Sequence, residues 1–274
     1  MSDPTPSSAA KLLKLLADLE RAAEDAESGM ATFGKKDLKK LHKAVKRAAE
    51  LLTRLAQSLD PVAHPEHVFD PSDPRDAAQL IGEQLLKQKR LPLATVAERP
   101  FWGSGVYALY YKGDHPAYKP ISGTEVPIYV GKADPERDDA ASPPEQGSML
   151  FRRLREHAKN IQIVQDFAET KKPPGVHRIA LADFDCRSLA LHSSFAAASE
   201  ATLISRFRPV WDDPVCSGFG KHGDSPGTRS NTRSEWDTLH PGRKWATRAG
   251  NIPNPKTPQQ VQDEVLAYLR ANAQ

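Results

Sequence analysis

Residues 105–111, Gly-Val-Tyr-Ala-Leu-Tyr-Tyr, and residues 128–132, Ile-Tyr-Val-Gly-Lys, decide how this chain folds. Both are short runs of β-branched and aromatic residues bounded by glycine or proline, so 106–111 and 128–130 read as strands. Working outward, 76–88 reads as a helix. A second, over 148–163, carries Leu150, Leu154, His157 and Ile161 on one face. Residues 176–181 read as a third strand and 195–207 as a further helix. Near the end, Thr257, Pro258 and Gln260 form an N-cap, a first-turn proline and a capping-box partner, which predicts a closing helix to about residue 271.

The first sixty residues have a different pattern. Apolar residues at Leu12, Leu15, Leu19, Ala22 and Ala26, then at Leu38, Leu41, Val45, Ala48, Leu52, Leu55 and Leu59, step by threes and fours. Two amphipathic helices joined around residues 28–34 are expected to form an antiparallel hairpin. Its lysines, Lys36 through Lys46, read as a solvated face. Pro61, Pro65, Pro71 and Pro74 then make a stiff connection. The expected organisation is a hairpin over 1–60, a linker over 61–75, a main domain over 76–250 and a C-terminal helix over 251–274.

Composition narrows the class of protein. In 274 residues, 39% hydrophobic and 27% charged content match a folded globular chain. The 38 basic residues nearly balance 35 acidic ones, so the distribution of charge says more about partners than the net +3. No run is long and apolar enough for a membrane span, and the N-terminus lacks a secretory pattern, so a cytoplasmic protein without membrane contact is expected. Cys186 and Cys216, the only cysteines, lack the spacing of a zinc site and read as buried thiols.

Five residues carry candidate chemistry. Tyr107 and Tyr129 sit on the two strands, Arg153 and His157 lie four apart on one helical face, and Glu200 is on a later helix before Arg208-Pro209. A guanidinium grips phosphate in a fork, an imidazole relays protons, and one carboxylate with several waters is how magnesium is usually held. Between residues 218 and 248, Lys221, His222, Arg229, Arg233 and Arg243 are interspersed with Trp236 and Trp245 in a loop-like stretch. Taken alone this stretch could be solvated surface; following the resemblance given next, these residues and Lys132 are expected to touch DNA phosphates and base edges.

The ordered set Gly105-Val106-Tyr107, Tyr129-Val130-Gly131, Arg153, His157 and Glu200 resembles the GIY-YIG nuclease superfamily, with valine for isoleucine in both tripeptides. Further segments, among them 207–211, 218–222 and 234–243, resemble its small type II restriction endonucleases. The resemblance runs from about residue 67 to 245 and leaves out the N-terminal hairpin. It implies an α+β fold with a three-stranded antiparallel sheet flanked by helices. It also implies a Mg2+ or Mn2+ cofactor on Glu200 and one-step hydrolysis of double-stranded DNA at a palindromic sequence. By position, Tyr107 would serve as general base or place the water, Tyr129 would support nucleophile or phosphate, Arg153 would stabilise phosphate, and His157 would hydrogen-bond the catalytic tyrosine. A homodimer on DNA and a cognate DNA methyltransferase in the same cell are the implied partners. The family pattern has Asn where this chain has Asp212, which brings negative charge near a phosphate. A structure-specific repair nuclease and a disabled DNA-binding relative are the alternatives.

Overall fold

The computed structural model describes residues 8–29, 34–59, 73–220, 232–247 and 252–272. The chain divides into two compact units, residues 1–68 and 69–274. The linker expected over 61–75 lies largely outside the described residues.

In the first unit, α1 (Ser8–Gly29) and α2 (Lys35–Leu59) occupy the two periodic stretches. None of their described residues is buried. Leu12, Leu16, Leu38, Ala48, Leu52 and Leu55 are partly shielded, whereas Leu15, Leu19, Leu41, Val45 and Leu59 of the expected seam stand exposed. Two helices alone can offer each other only one line of contact, so part of each apolar stripe stays in water.

The second unit is built on a four-stranded antiparallel sheet in the order β1-β4-β2-β3, formed by β1 (Leu91–Pro92), β2 (Gly105–Tyr111), β3 (Tyr129–Ala133) and β4 (Phe184–Ala190). The expected three strands thus gain a two-residue edge strand. Every residue of β2 is buried, as its unbroken apolar run requires of a central strand covered on both faces. Tyr107, Leu109 and Tyr111 point to one face, where α5 (Met149–Lys171) lies. Val106, Ala108 and Tyr110 point to the other, against Leu85 of α3 (Pro74–Lys87) and Leu203 of α6 (Ser193–Phe207). The short α4 (Leu93–Glu98) and α7 (Glu235–Leu239) add to the α5 side. There α8 (Pro258–Ala271) buries Val261, Val265 and Leu269. It begins with the expected capping box: Thr257 Oγ1 accepts from the Gln260 N–H at 3.2 Å, and Gln260 Oε1 accepts from the Thr257 N–H at 2.8 Å.

One strand is misplaced in the sequence reading. The third strand is Phe184–Ala190, whereas 176–180 carries no strand pairing. Phe184 and Cys186 face the core, while Asp185 and Arg187 face the Tyr110 side and pair there with residues distant in sequence. Asp185 pairs with Lys112 at 2.7 Å and Arg187 with Glu125 at 2.6 Å. Period-two alternation with ionic outer members has low β-branched content, so a reading weighted on β-branched residues settles on the earlier stretch.

Beneath the sheet lies a polar cluster within the aromatic core. The Tyr118 hydroxyl accepts from Trp211 Nε1 at 2.9 Å and lies 2.6 Å from His240 Nε2. His115 stacks on Tyr118 at 4.8 Å, edge-on to His240, and its Nδ1 accepts from the Ala117 N–H at 3.2 Å. Burial, with His177 nearby, lowers the His115 pKa to about 3. Burial, with His115 and Arg243, lowers that of His240 well below its ordinary value. The folded chain therefore refuses protons that the unfolded chain accepts below about pH 6.5. Stability from these histidines is complete above that pH and is lost as pH falls toward 3. His115→Asn keeps an acceptor for Ala117 but cannot titrate. The stability difference between wild type and this variant, measured by urea unfolding, is expected to shift by about 1–2 kcal/mol against wild type between pH 7 and pH 5. A difference independent of pH would exclude His115 as an acid-labile group.

Candidate active site

Antiparallel register sets Tyr107 of β2 opposite Gly131 of β3. A Cβ at residue 131 would lie 2.5 Å from the Tyr107 hydroxyl and 3.1 Å from the Tyr129 ring, so the tyrosine lies across a strand that has no side chain at that point. Gly105 is constrained differently: its φ of 149° is positive, and a Cβ there would lie 2.2 Å from the Leu189 carbonyl oxygen. Both glycines of the two tripeptides thus answer to close approach.

From that position the Tyr107 hydroxyl meets His157 Nε2 at 2.7 Å. His157 is fully buried, stacked at 4.6 Å on Phe219 and edge-on to Tyr129 at 5.2 Å. Tyr129 in turn abuts Phe219 at 5.0 Å, and its hydroxyl lies where a Cβ on Gly220 would fall. Arg153, one turn before His157, is partly exposed and pairs with Glu156 at 3.2 Å. Glu200, on α6, is half-buried and lies beside Lys132. The five expected residues therefore converge at the β3 edge of the sheet.

Electrostatics follow from burial. The Tyr107 pKa is pushed well above 10, first by desolvation and then by Tyr129, with Arg153 pulling it back. Tyr129 is raised for the same first reason, then by Asp212. Glu200 is raised by burial, and Lys132 and Arg153 oppose the shift. Its donors are all oxygen, the choice of a hard cation. Among the described residues no group of three or more His, Cys, Asp or Glu side chains converges as a ready-made metal cage. A cation at Glu200 would therefore keep several waters.

Compared with known protein families, the chain matches the Eco29kI GIY-YIG domain over residues 99–269, more than half its length. The chain belongs to the Eco29kI GIY-YIG family. This is a restriction endonuclease family, and the chain is a GIY-YIG DNA nuclease. No curated protein matches it. No described helix is long and apolar enough to cross a membrane.

The Eco29kI-type domain revises the expected DNA-contacting set. Lys221, His222 and Arg229 lie outside the described residues. Arg233 is partly buried and donates through Nε to the Ala246 carbonyl at 3.3 Å. Lys132, partly exposed, is paired with Asp134 beside Glu200. Arg243 does not fit the expectation. It is 2% exposed, binds both carboxylate oxygens of Asp237 at 2.7 and 2.8 Å, and donates to the Gly218 and Phe219 carbonyls. Its guanidinium also lies over Trp236 at 4.4 Å. A buried charge held this way organises the loop that carries Phe219, and it is not available to DNA.

Asp212, the position that departs from the family, is also clarified. It is largely buried and accepts from the Val130 N–H at 2.8 Å. Burial, with Glu200 nearby, raises its pKa to about 8. Burial thus favours the neutral acid, which presents an acceptor and a donor, as an amide does. Sequence reading missed Phe219 as a site residue. The available signal was its position between Gly218 and Gly220.

The Tyr107–Gly131 contact is testable. Gly131→Ala is expected to lower the cleavage rate at least about tenfold by displacing the hydroxyl, with a stability loss of about 1–3 kcal/mol. In a Tyr107→Phe background the stability loss is expected to shrink, because the atom nearest the new methyl is gone. Equal losses in both backgrounds, by urea unfolding, would place the strain elsewhere.

Proposed function

We propose that this protein is a type II restriction endonuclease that hydrolyses both strands of double-stranded DNA at a specific palindromic sequence, with Mg2+ or Mn2+ bound at Glu200. The observation that carries the reading is the 2.7 Å pair of Tyr107 and His157, set beside Arg153 and Glu200. A tyrosine with a raised pKa is a poor base alone. Paired with an imidazole, it can take the proton of the attacking water while its own proton moves to Nε2, and no free phenolate need form. The water oxygen then attacks phosphorus, and the leaving 3′ oxygen takes a proton from solvent. Arg153 is suited to the charge growing on the phosphoryl oxygens, and Tyr129, its ring 6.2 Å from that of Tyr107, to holding the water or phosphate. When bound, a divalent cation supplies Lewis-acid polarisation of the phosphate. Glu200 would hold it: burial raises its pKa despite Lys132 and Arg153, so its charged form would gain from a cation.

Glu200→Ala is expected to retain DNA binding and to cut at least about a hundredfold more slowly. Purified protein with unmethylated plasmid and Mg2+ should give discrete fragments, and excess chelator should abolish them. Undiminished cutting by Glu200→Ala would remove this residue from the reaction. Cutting restricted to forked or flapped DNA would replace sequence recognition by shape recognition. A cognate methyltransferase follows from the restriction reading, since the cell's own sites need protection, and a cytoplasmic location follows with it.

One such domain holds one set of these residues, so cutting both strands of a palindrome is most simply done by two copies related by the twofold axis of the DNA. The leucines left exposed on α1 and α2 suit a four-helix contact between two hairpins. Removal of residues 1–60 is expected to give a chain that nicks rather than linearises plasmid and stays monomeric by solution mass. A truncated chain that still dimerises and linearises would assign assembly to the nuclease unit.

A further inference from the structure

Trp102 leads into β2 and is 60% exposed, the most exposed large apolar side chain of the nuclease unit among the described residues. Its neighbours hold it there. The Gly103 N–H donates to the Gly147 carbonyl at 2.8 Å, and the Leu150 N–H donates to the Gly103 carbonyl at 3.0 Å. The Ser104 N–H donates to Gln146 Oε1 at 2.9 Å, and Phe101 packs its ring edge-on against Phe151 at 6.2 Å. Gly103 has a φ of 125°, and a Cβ there would lie 2.8 Å from that of Ala190. Residues on both sides are thus fixed to the start of α5 and to the end of β4, while the indole between them faces water.

The surroundings indicate what the indole meets. Phe151, under Phe101, also lies beneath the Arg155 guanidinium at 6.0 Å and is two residues from Arg153 of the active site. The first turns of α5 carry Arg152, Arg153 and Arg155, with no acid in the first turn. Positive side chains at the positive end of a helix repel it unless an anion is supplied. Glu136 supplies part of this for Arg152, at 2.7 Å, and Glu156 for Arg153. The loop that exposes the indole is thus pinned to the helix that carries these arginines, and an aromatic wedge with cations that hold the phosphates is a pairing that proteins use on duplex DNA.

We propose that Trp102 is a DNA-contacting residue whose indole wedges into a base step of duplex DNA and stacks on the base it exposes, while the α5 arginines hold the adjoining backbone. The proposal rests on the nuclease reading above. It adds a contact that the five motif residues do not provide, on a loop fixed to the same helix as Arg153.

The test uses the full chain with a sheared duplex DNA probe in chelator, so that binding is read without cutting. Tryptophan emission is followed with acrylamide as a neutral quencher. Trp211 and Trp236 are buried and Trp245 is partly shielded, so quenching reports chiefly on Trp102. Duplex DNA is expected to protect the emission. Trp102→Ala should raise Kd about tenfold, Trp102→Leu nearly as much, and Trp102→Phe no more than about threefold, all with unchanged thermal melts. Wild-type Kd and plasmid cutting in Trp102→Ala, or equal behaviour of the Leu and Phe variants, would overturn the stacking role and leave the nuclease reading intact. Failure of the wild-type chain to bind duplex DNA at all would overturn both.

Discussion

The register that faces Tyr107 with Gly131 is the constraint on which the rest of the site depends. With no side chain at residue 131, a tyrosine on a central, fully buried strand can lie across its neighbour and bring its hydroxyl to His157 on the covering helix. Because side chains alternate faces with period two, a slip of one residue would turn Tyr107 toward α3 and α6 and leave His157 facing a backbone. Placing the hydroxyl is therefore a property of the sheet. The aromatic packing of Phe219, Trp211 and Trp236 then fixes the imidazole from the far side.

Proton demand differs between the two polar regions of this core. Around Glu200 and Asp212, carboxyl groups are close together and poorly solvated, so they hold protons more tightly than in water. Around Tyr118, His115 and His240 are poorly solvated as well, but the same physics makes them refuse protons. Lowering the pH thus relieves one region and strains the other. The two contributions to folding have opposite signs across the acidic range, which tends to flatten the overall dependence of stability on pH.

Much of the site was legible because its signals are local. Strand-forming runs with obligatory glycines, Arg153 and His157 one turn apart, and the Thr257 capping box each lie within a few residues, and each reappears in the structure. What was hidden depends on distant partners. β4 is hydrophobic on one face only, and its ionic face is satisfied by residues up to about a hundred positions away, such as the Gln88 carbonyl that accepts from Arg187. Arg243 looks like any arginine in a basic loop until Asp237 and two carbonyls are found around it. Leu15 and Val45 fit a seam on periodicity, yet periodicity cannot say whether a second surface arrives to cover them.

The strand β3 ends the sheet, and an open strand edge invites another chain to add to it. Here the outward N–H of Val130 is already taken by Asp212. A carboxyl group beside the proposed chemistry is thus also a stopper of the edge. Truncating Asp212 opens a template for strand addition, and self-association of such a protein would reflect loss of the stopper. A substitution such as Asp212→Asn keeps an acceptor on that N–H and leaves the edge closed.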